Sequence, residues 1–326
     1  MIAMQVTVVK PGLETSVQEL PGRVGYLEQG FPLSGPLDCW SFRLANLLVG
    51  NPRDTAALEC QFLGPALRFG SDGMVAVTGA DMHPTLDGSV VPMWQSLPVR
   101  AGQVLELGPA RTGARSYIAL AGGIDTPPVL GSRAVFHMAG VGGRALKSGE
   151  TIPVGPIAGL PPVRVVNADA RPVLSDSKSW HIEVIAGPND DWLSKEAIAT
   201  FLSADWILQS KSSRTGMRLT GPQFTFSERA LNKNPDHGQD PSNIIDHGYP
   251  LGAVNLAGQT PIILTHDSPS TGGFINPFTV ASAALWKLGQ ARPGEVLRFR
   301  SIDLDEAADL RQALDQAADL RNLRPV

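Results

Sequence analysis

Glycine and proline punctuate this chain at 61 of its 326 positions, 34 and 27 respectively. Inside a helix each such residue costs roughly 1 to 3 kcal/mol, so a bundle of long helices cannot be built from this sequence. The 43% hydrophobic content is too high for a disordered chain, and the glycines lack the three-residue period of collagen. What remains is a globular, turn-rich, mostly β protein. Its length favours two domains, because single cores stop growing near about 250 residues.

Strand signals dominate. Met4-Gln-Val-Thr-Val-Val9, Met74-Val-Ala-Val-Thr78, Val90 to Trp94, Ser116-Tyr-Ile-Ala-Leu120, His181-Ile-Glu-Val-Ile185 and Pro261-Ile-Ile-Leu-Thr265 are short, apolar or β-branched, and bounded by turn residues. Four segments read as helices: Asp38 to Val49, with Asp38 as N-cap and Gly50-Asn-Pro52 as stop, Leu193 to Leu202, Thr279 to Leu288, and Asp303 to Leu323. A short pattern recurs at Gly102-Gln-Val-Leu-Glu-Leu107, Gly149-Glu-Thr-Ile-Pro-Val154 and Gly294-Glu-Val-Leu-Arg-Phe299. Each places a glycine and then an acid or amide ahead of a strand, as a turn feeding that strand does. The Pro- and Gly-rich stretch after Gly155 and the polar stretch up to Lys178 mark a join, placed near residue 170.

The bulk numbers exclude several function classes. A net charge of −4 and no basic stripe argue against nucleic acid as a partner. Met1 to Lys10 lacks the pattern of a secretion signal. No apolar run reaches the roughly 18 to 20 residues that span a bilayer, so no membrane association is expected. Cys39 and Cys60 cannot make a disulfide framework, and a reducing cytoplasm is the simplest compartment. Gly140-Val-Gly-Gly-Arg-Ala145 fits a dinucleotide fingerprint in letters only, because a strand rather than a helix follows it. Ser175-Asp-Ser-Lys178 matches the Ser-x-x-Lys of certain hydrolases but lies in the join, where a solvated loop is the simpler reading. His237, Asp240, Asp246, His247, His266 and Asp267 crowd together without HExxH or H-x-H spacing, and no metal is expected.

Ser242 to Gly289 is the informative stretch. Polar side chains there alternate with Gly and Pro around a buried-type strand, which is how a β scaffold presents a pre-organised loop site. The competing reading is turn chemistry, since Asn, Asp, Ser and Gly favour turns anyway. Arg214 and Arg218, separated by a possible tight turn, suit a carboxylate or carbamate, or alternatively ion pairs with the acidic surface.

At these motifs the sequence resembles a known family. Pro21-Gly-Arg-Val-Gly-Tyr26, Gly30-Phe-Pro-Leu-Ser-Gly-Pro-Leu-Asp38, Ala45-Asn-Leu-Leu-Val-Gly-Asn-Pro52, Ala57-Leu-Glu59, Val77-Thr-Gly-Ala-Asp81, Ala121-Gly-Gly-Ile124, Leu130-Gly-Ser132, Arg214-Thr-Gly-Met-Arg-Leu-Thr-Gly-Pro222 and Thr271-Gly-Gly-Phe274 are similar to the allophanate hydrolase subunit 2 family. That family includes KipA-type proteins and the C subunit of the bacterial 5-oxoprolinase, and is regarded as a biotin-dependent carboxyltransferase domain. The likeness runs to about Arg300. Ser242-Asn-Ile-Ile-Asp-His-Gly-Tyr-Pro-Leu-Gly-Ala-Val-Asn255, Pro261 to Phe274 and Ala284-Leu-Trp-Lys-Leu-Gly-Gln290 look like the carboxyltransferase region of urea carboxylase. His266-Asp267-Ser-Pro-Ser-Thr271 stands where KipA-type members tend to carry an Asp-Arg-Gln-Thr-Thr-like run, which favours the urea-carboxylase branch.

The resemblance implies two tandem cyclophilin-like β-barrels, residues 1–170 and 171–326, with a few short helices and a C-terminal helix. It implies a subunit 1 (KipI-like) partner, and carboxybiotin presented by a separate biotin carboxyl carrier, with no cofactor bound covalently to this chain. The implied reaction moves CO2 from carboxybiotin to a nitrogen of a small urea-, guanidine- or amide-like substrate. By residue chemistry Asp246, His247 and Asp267 are candidates to orient or deprotonate the substrate. Asn243, Asn255 and Ser270 are candidates to hydrogen-bond it, and Arg214, Arg218 and Lys287 to hold carboxylate charge. In the first half Ser34, Asp38, Asn46 and Asp81 fall in family motifs, where a helix cap, a buried amide and a turn residue are the competing readings. Two other functions stay open: a subunit of an ATP-dependent 5-oxoprolinase, and a KipA-like regulator that binds a KipI-like kinase inhibitor. Allophanate hydrolysis itself needs a Ser-cis-Ser-Lys array, which the sequence lacks.

Overall fold

A computed structural model describes residues 4–174 and 177–326. Ser175 and Asp176, which open the Ser-Asp-Ser-Lys match, lie outside the described residues. The fold is mostly β. By its contacts the chain divides into two units. One takes in residues up to Val24, Leu33–Leu174 and Ala313–Val326; the other takes in Gly25–Pro32 and the chain up to Gln312. Among the described residues no helix is long and apolar enough to cross a membrane.

The recurring glycine pattern has one physical meaning at all three places. Gly102, Gly149 and Gly294 have φ of 87°, 84° and 86°. Each is the third residue of a turn closed by the N–H of the next residue: Gln103 to the Arg100 carbonyl, Glu150 to Lys147, Glu295 to Arg292. That φ is the one a type II turn demands of its third residue. A Cβ would meet nothing within 4 Å at any of the three, so the backbone angle alone selects glycine. The acid or amide that follows accepts the N–H of the turn's first residue: Gln103 Oε1 from Arg100 at 2.9 Å, Glu150 Oε2 from Lys147 at 2.9 Å, Glu295 Oε2 from Arg292 at 3.0 Å. Each turn then pairs both ways with a neighbouring strand, at Phe69, Val8 and Leu208.

In the first unit a six-stranded sheet runs in the order Thr151–Pro153, Gln5–Lys10, Ala66–Phe69, Val104–Glu106, Thr85–Leu86, Ser89–Val90. A five-stranded sheet runs Glu14–Gln18, Ala57–Gln61, Thr112–Leu120, Gly73–Asp81, Ser96–Val99. Val6, Val8, Leu67, Phe69 and Leu105 of the first sheet share a core with Leu58, Cys60, Val75, Val77, Ile118 and Leu120 of the second. The alternate residues Ala57, Met74, Ala76, Tyr117 and Ala119 face the other way and pack with Phe42, Leu44 and Leu48. The five-stranded sheet is thus covered on both faces, which is why Met74 to Val77 reads as an unbroken apolar run. Phe42 and its neighbours belong to the helix Cys39–Leu48. Asp38 starts it, accepting the N–H groups of Trp40 and Ser41 at 3.1 and 3.0 Å.

In the second unit seven strands close a barrel in the order Ser179–Ala186, Phe278–Val280, Ala253–Ala257, Thr260–Leu264, Gly216–Thr220, Trp206–Leu208, Val296–Ser301. The last pairs in parallel with the first and completes the circle. Phe201, from the helix Lys195–Ser203, stacks on Phe278 and Phe299 at 4.3 Å each. A separate two-stranded ribbon joins Asn243–Gly248 to Thr271–Phe274.

Three expectations change. Thr279 to Leu288 is not one helix: Phe278–Val280 is barrel strand, Ser282–Ala284 a 3-10 turn and only Leu285–Gln290 helical. Val280 pairs with Val184 and Thr279 with Ile185, so strand partners claim the β-branched residues. The strand expected over Val90 to Trp94 is cut to Ser89–Val90, because Pro92 has no N–H to give and Trp94 takes a φ of 62°. The C-terminal helix spans Leu304–Ala317, and Leu323–Pro325 is a strand paired with Arg164–Val166.

Candidate functional site

The two-stranded ribbon concentrates the polar side chains. Asn243 faces Phe274 and His247 faces Gly272, with a register shift between the two pairs. An extra-residue bulge of this kind re-aims side chains, and it leaves Ile245 and Asp246 exposed. Tyr249 clamps the ribbon. Its hydroxyl accepts the Phe274 N–H at 2.6 Å and donates to the Phe274 carbonyl at 3.1 Å. His247 meets the Tyr249 ring edge-on at 5.0 Å, and its Nε2 lies 3.2 Å from the Phe274 carbonyl. Burial, opposed by the Phe274 hydrogen bond and joined by the nearby Asp246 charge, pushes the Tyr249 phenol above its ordinary range, so it stays neutral.

Packing also explains the paired glycines. A Cβ at Gly272 would sit 2.5 Å from the Tyr249 ring, and one at Gly273 would sit 3.1 Å from Asp246 Oδ1. Ser270, at the foot of the ribbon, donates to the Leu27 carbonyl at 2.8 Å, and its own carbonyl takes the Tyr249 N–H.

The turn that enters the ribbon is held by Lys233 and Asp240. Lys233 Nζ donates to the Asn243 carbonyl at 2.6 Å and to the Asp240 carbonyl. Its pKa lies below the ordinary lysine range because burial outweighs the pull of Asp240. Hydrogen bonds from the Ser242 hydroxyl and N–H hold the Asp240 carboxyl below the ordinary range. The Ser242 hydroxyl in turn accepts the Gly258 N–H at 2.9 Å.

The other second-half candidates divide into three settings. Arg218, Ile262 and Asn255 sit side by side across three barrel strands. Arg218 is exposed, whereas Asn255 is 3% exposed and its Oδ1 has no partner among the described residues. Arg214 and Asp267 are both buried and engage each other through two contacts, 2.9 and 3.3 Å. The Arg214 carbonyl also takes the Asp267 N–H, at 2.9 Å. Lys287 is engaged by Glu183 at 2.6 Å and by the His181 carbonyl at 2.8 Å, both on the barrel strand Ser179–Ala186. Asp246, His247, Asn243 and Ser270 are therefore gathered on the ribbon, while Arg214 with Asp267, and Lys287 with Glu183, form separate ion pairs.

The first-unit candidates have structural partners, with one exception. Asp38 caps its helix and also accepts the Ser41 hydroxyl at 2.6 Å. Asn46 donates to the Thr55 carbonyl and accepts from Asn51. Asp81 accepts the His83 N–H at 2.8 Å. Ser34 is 1% exposed, holds a φ of 56°, and has no partner for its hydroxyl among the described residues. Ser16, His137 and Glu14 line up as a hydroxyl, an imidazole and a carboxylate, at 3.0 and 3.5 Å. The Ser16 oxygen takes the Gln18 amide at 3.1 Å and the residue is 2% exposed, so the array ties strand to loop and presents no nucleophile. Among the described residues no three His, Cys, Asp or Glu side chains converge for a metal.

Tyr249 and Lys233 were not singled out by sequence, and Asp240 was named only in the cluster weighed as a metal site. Tyr249 stands in Asp-His-Gly-Tyr, where an aromatic beside a turn reads as packing, and its role rests on a backbone 25 residues away.

Comparison with known proteins gives a consistent result. Residues 29–301 match the family described as carboxyltransferase domain, subdomain A and B. The chain is 37% identical over 327 residues to the urea amidolyase of Saccharomyces cerevisiae, covering 97% of this chain and 17% of that protein. The C subunit of the Escherichia coli 5-oxoprolinase is 33% identical over 310 residues and is covered to 94%, as is this chain. The crystal structure of the Kluyveromyces lactis urea carboxylase superposes with a TM-score of 0.91 at 37% identity, over 97% of this chain and 29% of that one. The chain thus spans less than a third of the urea-processing proteins it matches and nearly all of the oxoprolinase subunit.

Proposed function

This chain belongs to the carboxyltransferase domain family, subdomains A and B, and on that premise we propose that it is the carboxyl-transferring component of a biotin-dependent urea- or amide-carboxylase system. The observation that carries this reading is its likeness, along nearly its whole length, to a urea carboxylase. Carboxybiotin, presented by a separate carrier, would supply activated CO2, and a subunit 1 (KipI-like) partner would complete the assembly.

The residues of the ribbon suit the acceptor. An amide-like nitrogen is a weak acid, so its proton must leave as the C–N bond forms, and a positioned base contributes typically 10²- to 10⁴-fold. Asp246 and His247 are consecutive on the strand Asn243–Gly248, Asp246 exposed and His247 partly so. The Asn243 side chain and the buried Asn255 Oδ1 offer hydrogen-bonding groups to substrate N–H and C=O. Arg218 supplies an exposed guanidinium for carboxylate charge. We assign Arg214 and Asp267 to shaping the loop that leads into the ribbon, because each neutralises the other.

The test is a reconstitution with the subunit 1 partner, the biotinylated carrier and biotin carboxylase, following labelled bicarbonate into urea, guanidine or simple amides. Transfer that falls at least about a hundredfold in Asp246→Asn or His247→Ala supports the reading. A complex that forms and leaves carboxybiotin intact with every acceptor overturns it.

End-to-end coverage of a 5-oxoprolinase subunit favours a second reading, a subunit of a lactam-opening complex. ATP-dependent hydrolysis of 5-oxoproline by the reconstituted partners, without labelled CO2 uptake, would select it.

A further inference from the structure

We infer that His247 takes up its proton at Nδ1 and that Tyr249 is the residue that positions it to do so. The inference rests on the carboxyl-transfer reading for its catalytic meaning and on geometry alone for the proton assignment.

A backbone carbonyl can only accept. With His247 Nε2 at 3.2 Å from the Phe274 carbonyl, Nε2 must carry the hydrogen for a bond to form, and in the neutral ring the lone pair then lies on Nδ1. The carbonyl is itself fixed. Tyr249 takes the N–H of Phe274 at 2.6 Å and gives its own hydrogen to the Phe274 oxygen at 3.1 Å. One phenol therefore grips both backbone polar groups of the residue that orients the histidine. The ring rests over Gly272, where a Cβ would come within 2.5 Å, and meets the imidazole edge-on at 5.0 Å. Strand, glycine, phenol and imidazole form one chain of contacts that ends at Nδ1. With carboxybiotin bound, its N–CO2 bond would break as the acceptor nitrogen's bond to CO2 forms, the proton lost by the acceptor nitrogen would pass to Nδ1, and the imidazolium would return it to the biotin nitrogen left behind, restoring the neutral ring.

The experiment uses the full chain with ¹⁵N-labelled histidine, read by long-range ¹H–¹⁵N correlation, with the His247 signals assigned by their loss in His247→Gln. The neutral Nε2–H form is expected. In Tyr249→Phe, which keeps the ring over Gly272, the Nε2–H preference should weaken. In the reconstituted assay the same variant should lower kcat roughly ten- to hundredfold, with KM little changed and the pH profile shifted. Gly272→Ala, which displaces the ring instead of removing the hydroxyl, should reproduce the loss. A neutral Nδ1–H form, or a tautomer and kcat unchanged in Tyr249→Phe, overturns the inference. Because the proton position is read without turnover, an assembly that transfers no CO2 defeats the functional reading alone and leaves the tautomer result to decide this one.

Discussion

The two units arrange their polar side chains differently. In the first, polar side chains line the sheet itself: Ser16, Glu59, Tyr117 and Thr78 are direct neighbours across four strands, and all four are buried. Glu59 Oε2 takes both the Tyr117 hydroxyl and the Leu37 N–H at 2.8 Å, and the Asp38 N–H donates to that same hydroxyl at 2.8 Å. This row holds the Pro-Leu-Ser-Gly-Pro-Leu-Asp loop against the sheet. In the second unit aromatic and aliphatic side chains fill the barrel, the buried polar groups are the isolated Arg214–Asp267 pair and Asn255 rather than a row across the sheet, and further polar groups sit on a partly exposed ribbon clamped by one tyrosine. The row's polar groups are used up on one another and on the backbone of the loop they hold, whereas Asp246 on the ribbon stays exposed. Both kinds occur inside motifs that carry the family resemblance.

The sharpest way to break this contrast is to remove a carboxylate from each buried ion pair. Glu59 lies 3.4 Å from the buried Arg115 guanidinium, so Glu59→Ala removes that charge partner and the acceptor of the Tyr117 hydroxyl and the Leu37 N–H. Asp267→Ala strips the buried Arg214. Each should destabilise its unit by about 3 to 5 kcal/mol, measured by chemical denaturation. Asp246→Asn, on the exposed ribbon, should change stability by less than about 0.5 kcal/mol. A larger loss there would make the ribbon a structural element like the first-unit row.

Next in size, Asp38→Ala should cost about 1 to 2 kcal/mol through the lost helix cap, with transfer activity preserved at temperatures where the protein stays folded. A selective loss of activity would give the first unit a chemical role.

A smaller effect concerns acid. Hydrogen bonds from Ser242 depress the folded-state pKa of Asp240. The stability this contributes is fully present above the unfolded carboxyl value of about 3.9 and is lost as pH falls through the lower folded value. The denaturation midpoint should therefore drop below about pH 4, and Asp240→Asn should flatten that part of the profile. An unaltered profile would free the ribbon's entry turn from Asp240. The smallest effect is on thiol chemistry. Burial pushes the Cys60 thiol far above its ordinary range, so it should resist alkylation in the native protein and react only on unfolding.

The fold was legible wherever its cause was local. The three type II turns announce themselves because one backbone angle demands glycine and the next side chain caps the turn. The Asp38 helix announces itself by cap and stop. What stayed hidden was set by partners far along the chain. Thr279 and Val280 look helical beside Ala281 to Leu288, until Val184 and Ile185 claim them as strand. Leu323–Pro325 becomes strand only because Arg164–Val166 lies open to it. The site shows the same limit. Its stretch could be named from clustered polar residues and glycines, but Asp267 and Arg214 lie 53 positions apart, and nothing in their spacing tells that they neutralise each other. Tyr249 was hidden because its work is done on a backbone rather than on a side chain.

That chemistry resides on the ribbon is tested most directly by carboxyl transfer from carboxybiotin in the reconstituted assembly with His247→Ala. A fall of at least about a hundredfold in kcat is expected, at unchanged thermal stability and unchanged binding of the subunit 1 partner. Transfer at the parental rate in that variant would move the chemistry off the ribbon.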